Sequence, residues 1–417
     1  MRDGRRGCGL VRNRRRHAGA RAGEALQVTL GMQLLVGPQH RQARDPQFAG
    51  QRAGGGHALA RPQPAIGDGA AEPVRQLQVD RAAALECDRR QQAGGHALQG
   101  GFDFHFGTWK TRIMSRDVTA SGVDAWGKFT GTVIDQPLWN GRANVEKIEA
   151  AGSGGHFQGL TLFLYNPKSR QWNERFAGSD DGTLQELSYG EFKNGVGVFH
   201  AWTESGGKKV LQRDVWSNIT PDSYHYEIAV SLDGGKTWTT DFVAQLTRVK
   251  KAPDYDVHHT QGTGPEHGFD FNMGQWTTRI RAVLNPLSSP NAWSDLNGTH
   301  AVYRLWGDWA NIGQLEVDGP GGHIEDLALR LYDRKTQQWR VYFANSKSGM
   351  LNPPMVGTFE NGAGTFIGMD EVGGKTVLAR NVWSGIGAKS CRQDWAISTD
   401  GGKTWVPTWT STDTLGG

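Results

Sequence analysis

The chain is poor in cysteine: 417 residues hold three, Cys8, Cys87 and Cys391. That excludes a disulfide framework and a paired-thiol site. Long apolar runs are also missing. Nothing approaches the roughly 18 consecutive apolar residues of a membrane span, so no membrane span is expected. A weak run, Ala25–Val36, follows the basic cluster Arg14–Arg16 and resembles a secretion-signal core. Gln27 and Gln33 interrupt it, and no small-residue cleavage site follows cleanly. Helical periodicity is absent beyond single turns.

The first hundred residues have no lysine, tryptophan or tyrosine, and one phenylalanine, Phe48. They carry 16 Arg against 8 acidic residues, 16 − 8 = +8. The remaining 317 residues carry 30 basic and 34 acidic groups, 30 − 34 = −4. The overall charge of +4 therefore does not describe the main part of the chain. That part lacks the positive field that binds a phosphate backbone, so no nucleic-acid partner is expected. A segment so poor in apolar side chains cannot offset its ordering entropy. Arginine without lysine also fits GC-rich DNA read out of frame. Residues 1–100 are thus read as disordered or mis-translated, and they assign no compartment.

What is present is a repeat. Gly101–Ile113, GFDFHFGTWKTRI, returns as Gly268–Ile280, GFDFNMGQWTTRI, 167 residues later. The register holds without a gap to DGGKTW at Asp233–Trp238 and Asp400–Trp405, with 61 identities in 138 pairs. Two copies of one domain are expected, at 101–250 and 268–417. The join, 251–267, carries Pro, Gly and charge and reads as a linker. Its His258, His259 and His267 lack a fourth ligand and a rigid frame, so no metal is assigned there.

Each copy reads as about nine or ten short strands with turn signals every 8–14 residues. The first is placed at Phe102–Ile113, and Asn194–Gly195 marks a two-residue hairpin. Phe157–Tyr165 alternates on Leu160, Leu162 and Leu164. Consecutive hairpins predict an all-β fold of up-and-down antiparallel barrels. Eight to ten strands enclose an interior that side chains nearly fill, or that holds one small ligand.

Gly107-x-Trp109 and Gly274-x-Trp276, at the start of a many-stranded β domain, resemble the G-x-W signature of lipocalins and the wider calycin barrels. The resemblance implies that each Trp plugs a closed barrel end, with a basic last-strand residue across its ring. Arg248 matches that role. Leu415 stands at the equivalent position of the second copy, which leaves closure of that barrel without its usual clamp. The flanking FDF, Arg112 and Arg279, and DGGKTW are similar to a family of small uncharacterised bacterial proteins, covering nearly all of 101–412. That resemblance implies a calycin-like fold and no activity. Haem-binding calycins need a late axial His, and none is shared here, because His225 pairs with Arg392. No cofactor is expected. Ser231-x-Asp233-x-Gly235-x-Thr237-Trp238 and its copy at 398–405 resemble the Asp-box hairpin of sialidase-like propellers. A propeller would repeat it every 40–60 residues or so, and here it recurs only after 167.

Polar residues kept in both copies are the candidate ligand contacts: Arg112 and Arg279, Asn144 and Asn311, Glu149 and Glu316, His156 and His323, Arg213 and Arg380. Trp139, Trp172, Trp306 and Trp339, with Trp216 and Trp383, are candidate aromatic walls. Asn144 and Arg213 sit on otherwise apolar strands and are expected inside. The ordinary reading of each is structural: Trp as core, Glu149 and Glu316 in cross-strand ion pairs, His156 and His323 at loop tips after Gly-Gly, Asp103 and Asp270 capping the first strand. No Ser–His–Asp order, phosphate loop or Cys/His metal spacing appears.

The sequence predicts two calycin-like barrels that bind a small, partly apolar ligand inside one or both. An enclosed-site isomerase or lyase is the rival, using His156 and Glu149 as an acid/base pair in a pocket. A carbohydrate binder is the other, and it would need a row of exposed Trp. Oligomeric state and ligand identity are not readable.

Overall fold

In the computed structural model the described residues are 101–416, except 119–123, 154, 181, 206–207, 254–261, 263 and 308. The reading of residues 1–100 falls outside them, as do His258 and His259.

Ten strands form the first barrel: β1 (Gly107–Val118), β2 (Asp124–Leu138), β3 (Ala143–Gly152), β4 (Gly155–Asn166), β5 (Gln171–Gly178), β6 (Ser188–Lys193), β7 (Val196–Ser205), β8 (Lys208–Ser217), β9 (Ser223–Ser231) and β10 (Thr239–Lys250). Each pairs antiparallel with its chain neighbour, and β1 pairs with β10 to close the barrel. The second barrel repeats the plan with β11 (Gly274–Val283), β12 (Trp293–Trp306), β13 (Ala310–Gly319), β14 (Gly322–Asp333), β15 (Gln338–Asn345), the two-residue β16 (Met350–Leu351), β17 (Met355–Glu360), β18 (Ala363–Val372), β19 (Lys375–Ser384), β20 (Ser390–Ser398) and β21 (Val406–Leu415). It closes through β11 with β21 and through β14 with β15, so the missing arginine clamp does not prevent closure. Both copies are closed antiparallel meanders of ten long strands, as the turn spacing predicts. Asn194–Gly195 and Asn361–Gly362 both take positive φ at each residue, as a type I′ hairpin requires.

One boundary differs from expectation. Phe102–Phe106 is not strand but a turn segment that folds across the barrel end. Strand β1 starts at Gly107, whose φ of 121° and close approach to the Lys250 carbonyl exclude a side chain. Phe102 is buried against Phe163, Trp172 and Trp216. The Trp109 indole donates to the His105 carbonyl at 2.7 Å, and Trp276 repeats this on Asn272 at 3.0 Å. Arg248 lies 3.9 Å from the centre of the Trp109 ring. Its Nη1 and Nη2 donate to the carbonyls of Phe106 and Phe104, and its Nε to Pro221. The plug and its cation thus stand as the G-x-W resemblance implies.

The S-x-D-x-G-x-T-W hairpins fold alike in both copies. Asp233 accepts from the amides of Lys236 and Thr237 and from the Thr237 hydroxyl, while Ser231 Oγ accepts from the Gly235 amide. Asp400, Thr404, Ser398 and Gly402 repeat the pattern. Those hydrogen bonds hold both aspartates below the usual carboxylate range.

The barrels pack against each other through the outer faces of β2–β5 and β12–β15. Leu138, Trp139, Ala143, Val145, Leu160, Leu162, Leu164, Ala177 and Leu184 form one cluster with their counterparts 167 residues on, Leu305, Trp306, Ala310, Ile312, Leu327, Leu329, Leu331, Ala344 and Leu351. The same patch on both partners is an isologous contact within one chain. Around it Asn173 donates to the Gly349 carbonyl at 2.7 Å, the Trp139 amide to Gln314 Oε1 at 3.2 Å, and Arg142 pairs with Glu325.

Candidate functional site

The two interiors differ. In the first barrel, aromatic rings fill the space: Phe163, Trp216, Tyr224, Tyr226 and Phe242 leave about 50 Å³. Its polar groups neutralise one another. Buried His105 lies 3.3 Å from Asp135 and 3.0 Å from Glu146. Burial opposes its charge, but the two carboxylates outweigh it and raise His105 to about 9. Asn144 donates to Asp135 at 2.6 Å. Burial and the neighbouring Asp214 push Glu174 well above the carboxylate range, and burial raises Asp214 to about 6. This is a packed core with a proton-sharing acid pair.

The second barrel holds a cavity of about 400 Å³, open at the end away from Trp276. Shifting by 167 explains it. Glu146 becomes Gly313, Thr161 becomes Ala328, Phe163 becomes Arg330, and Tyr224 becomes Cys391. Apolar side chains make the walls: Ile280, Leu315, Phe343, Trp383, Trp395 and Trp409. Leu284, Pro286 and Val372 rim the mouth, and Leu284 is exposed.

The floor is polar. Arg330 on β14 is 2% exposed. Its guanidinium lies 4.5 Å from the Phe269 ring centre and 5.3 Å from that of Trp383. Its Nη1 donates to Asn272 Oδ1 at 2.8 Å and Asn311 Oδ1 at 3.1 Å. Burial lowers Arg330 to about 10, which leaves it charged at neutral pH. His300 is lowered by burial and by the Arg330 charge to about 3, so its ring is neutral. His300 Nδ1 lies 3.9 Å from Asp413 Oδ2. Burial raises Asp413 and the Cys391 thiol that lies 3.8 Å from it. A small convergent polar floor under apolar walls is the usual form of a small-molecule site.

Of the residues expected at the site, Trp383 lines this cavity and the other tryptophans and all of the polar candidates do not. Asn144 and Asn311 do point inward, each engaged with another interior side chain. Trp172 and Trp339 seal the plugged ends: Trp172 packs on Phe102, and the Trp339 indole donates to Pro265. Trp139 and Trp306 lie between the barrels, because their strand ends turn outward there. Arg213 and Arg380 are outside, stacked on Trp238 at 4.3 Å and Trp405 at 4.4 Å. The apolar strand neighbours of Arg213 predict an inward side chain. The pleat instead sends Val210, Asp214 and Trp216 inward and Arg213 out. Glu149 and Glu316 are exposed on the outer faces. Glu149 meets His156 at 3.0 Å, but both are more than half exposed, so the pair lies on a hairpin surface and not in a pocket. His323 likewise pairs with Asp318 on the outside. His267 lies 2.7 Å from Asp270. Eight of the sixteen tryptophans are buried and six are half-buried; Trp126 and Trp202 are the exposed ones among the described residues.

A family model described as BNR/Asp-box repeat matches residues 396–407, the second of the two short hairpins. No curated protein matches the sequence. Among solved structures, the chain is similar to the S-type phycobiliprotein lyase CPES of Guillardia theta at 11% identity, covering 38% of this chain and 97% of that one, with a TM-score of 0.27. It is similar to a DUF3598-family protein of unknown function from Nostoc punctiforme at 10% identity, covering 77% of this chain and 99% of the other, with a TM-score of 0.23. A transferrin binding protein B variant from Haemophilus parasuis aligns at 10% identity, over 74% and 75% of the two chains, with a TM-score of 0.17. At these scores the likenesses carry no functional argument.

Proposed function

We propose that the chain binds a small, partly apolar molecule in the second barrel, and that the first barrel is its packed structural partner. The observation that carries this reading is the contrast in interior space, about 400 Å³ against about 50 Å³, between two copies of one domain. A cavity of that size lies within the range of roughly 300–1,000 Å³ typical of ligand sites. Its mouth is open and rimmed by Leu284, Pro286 and Val372 with Asp370 beside them, so a ligand can enter without unfolding the barrel. The replacements that hollow it fall at inward positions, while the plug tryptophan and the DGGKTW hairpin are the same in both copies.

The test is native mass spectrometry of the chain purified from its source, beside an Ala328→Phe variant that fills the cavity. A retained small molecule on the native chain, lost from the variant, is the expected result. Equal retention by both would place any ligand elsewhere and end this reading.

A further inference from the structure

Arg330 is a buried cation with no carboxylate in ion-pair contact, and the Asp413 carboxyl acts on it only through space. Its two hydrogen bonds both leave from Nη1 and end on neutral amides, Asn272 and Asn311. Nε is buried and donates to no acceptor among the described residues. No carboxylate lies within ion-pair distance of it among the described residues; Asp413, the acid that faces it from β21, contacts His300 and Cys391. His300 contributes no positive charge at neutral pH. Asp326 and Asp370 also line the cavity, and burial raises both. Asp326 is held by Asn345, and Asp370 accepts from Asn352 and from the Glu371 amide, so neither is a partner for Arg330.

Leaving an ionised group buried without a counter-charge is strongly unfavourable, and the Phe269 and Trp383 faces offset only part of it. A ligand anion at the cavity floor would complete the site. The Phe163 position of the first barrel shows that the fold does not need a cation there. The floor lies at the plugged end, beside Phe269 and Asn272, and Leu284 and Pro286 rim the mouth.

We infer that the second barrel selects ligands with one anionic head, of the carboxylate class, and an apolar body. The head accepts from Arg330 at the floor and the body runs along Trp383, Trp395 and Trp409 toward the mouth. This rests on the binding reading above and specifies its chemistry. Among head groups, a planar carboxylate matches the guanidinium better than a hydroxyl, and an ammonium is repelled.

The experiment measures binding of octanoate, 1-octanol and octylammonium to the full chain by tryptophan fluorescence and calorimetry. Octanoate is expected to bind at least about tenfold more tightly than octanol, as a hydrogen bond to a charged group implies. Octylammonium should be weakest. In Arg330→Met the preference should shrink to within about twofold while octanol binding persists. Should octanol or octylammonium match octanoate on the native chain, the anion inference is wrong and the apolar cavity stands. If none of the three binds, the inference and the binding reading both fall. The head-group preference of the native chain is read without any variant, so misfolding of Arg330→Met would leave the test intact.

Discussion

His105 Nε2 lies 3.0 Å from Glu146 Oε2 inside the first barrel, and in the second barrel the same two positions hold Asn272 and Gly313. One exchange removes a charged pair and the other removes a side chain. The first barrel keeps a charged, filled core where the second has space.

The His105 pair gives the first barrel an alkaline limit. Its folded value, about 9, lies above the ordinary 6.5. A raised value means that the folded state holds the proton more tightly than the unfolded chain. The stabilisation is complete below pH 6.5 and is lost as pH rises to 9. Its size is on the order of 3 kcal/mol for this fully buried group. Urea denaturation of the native chain and of His105→Asn at pH 6 and pH 9.5 checks this. The native chain should lose stability between the two and the variant should lose much less. Parallel behaviour of the two would exclude His105 as the cause.

Arg248 closes the plugged end of the first barrel with three hydrogen bonds and a ring contact. Arg248→Met keeps the stem over Trp109 but leaves the carbonyls of Phe104, Phe106 and Pro221 without that donor. A loss of about 2–3 kcal/mol is expected. The second barrel, which has Leu415 there, should be unaffected. Hydrogen exchange resolved by peptide separates the two: protection should fall at Phe102–Trp109 and stay unchanged at Phe269–Trp276. A uniform change would show that the clamp acts on the whole molecule.

The shared apolar face should couple the barrels thermally. Leu329→Ala, in the middle of that face, removes buried methyl groups from both barrels' packing and should cost about 2–5 kcal/mol. Calorimetry of the native chain should give one transition. The variant should unfold earlier, and its two barrels should begin to separate into distinct transitions. Two independent transitions in the native chain would mean that the face adds little to either barrel.

The architecture was legible because turns and plugs are local. Asn-Gly pairs, the G-x-W start and the DGGKTW hairpin each specify their own geometry wherever they occur. The 167-residue shift then supplied the second copy. The site was not legible by the same route. Residues kept in both copies, such as Arg213 and Arg380, mark what both barrels need, namely stacking on the hairpin Trp. The cavity is defined by positions where the copies disagree: Glu146 and Gly313, Phe163 and Arg330, Tyr224 and Cys391. Reading the mismatches at every second residue of each strand would have found it. The inter-barrel face was also signalled. Leu160 to Leu164 and Leu327 to Leu331 are buried on both faces of their strands, a near-continuous apolar pattern that a solvent-facing barrel wall does not carry. Reading Leu160, Leu162 and Leu164 as simple alternation left open what covers their side of the strand.

That face has a consequence for how a hollow barrel came to sit beside a filled one. A protein with a single copy would leave nine apolar positions in water and would need a twin to cover them. Two identical twins must share every interior residue, so hollowing one hollows both and both lose core packing. Joining the copies in one chain removes that constraint. The first copy can stay dense and hold the contact, while the second exchanges core for space.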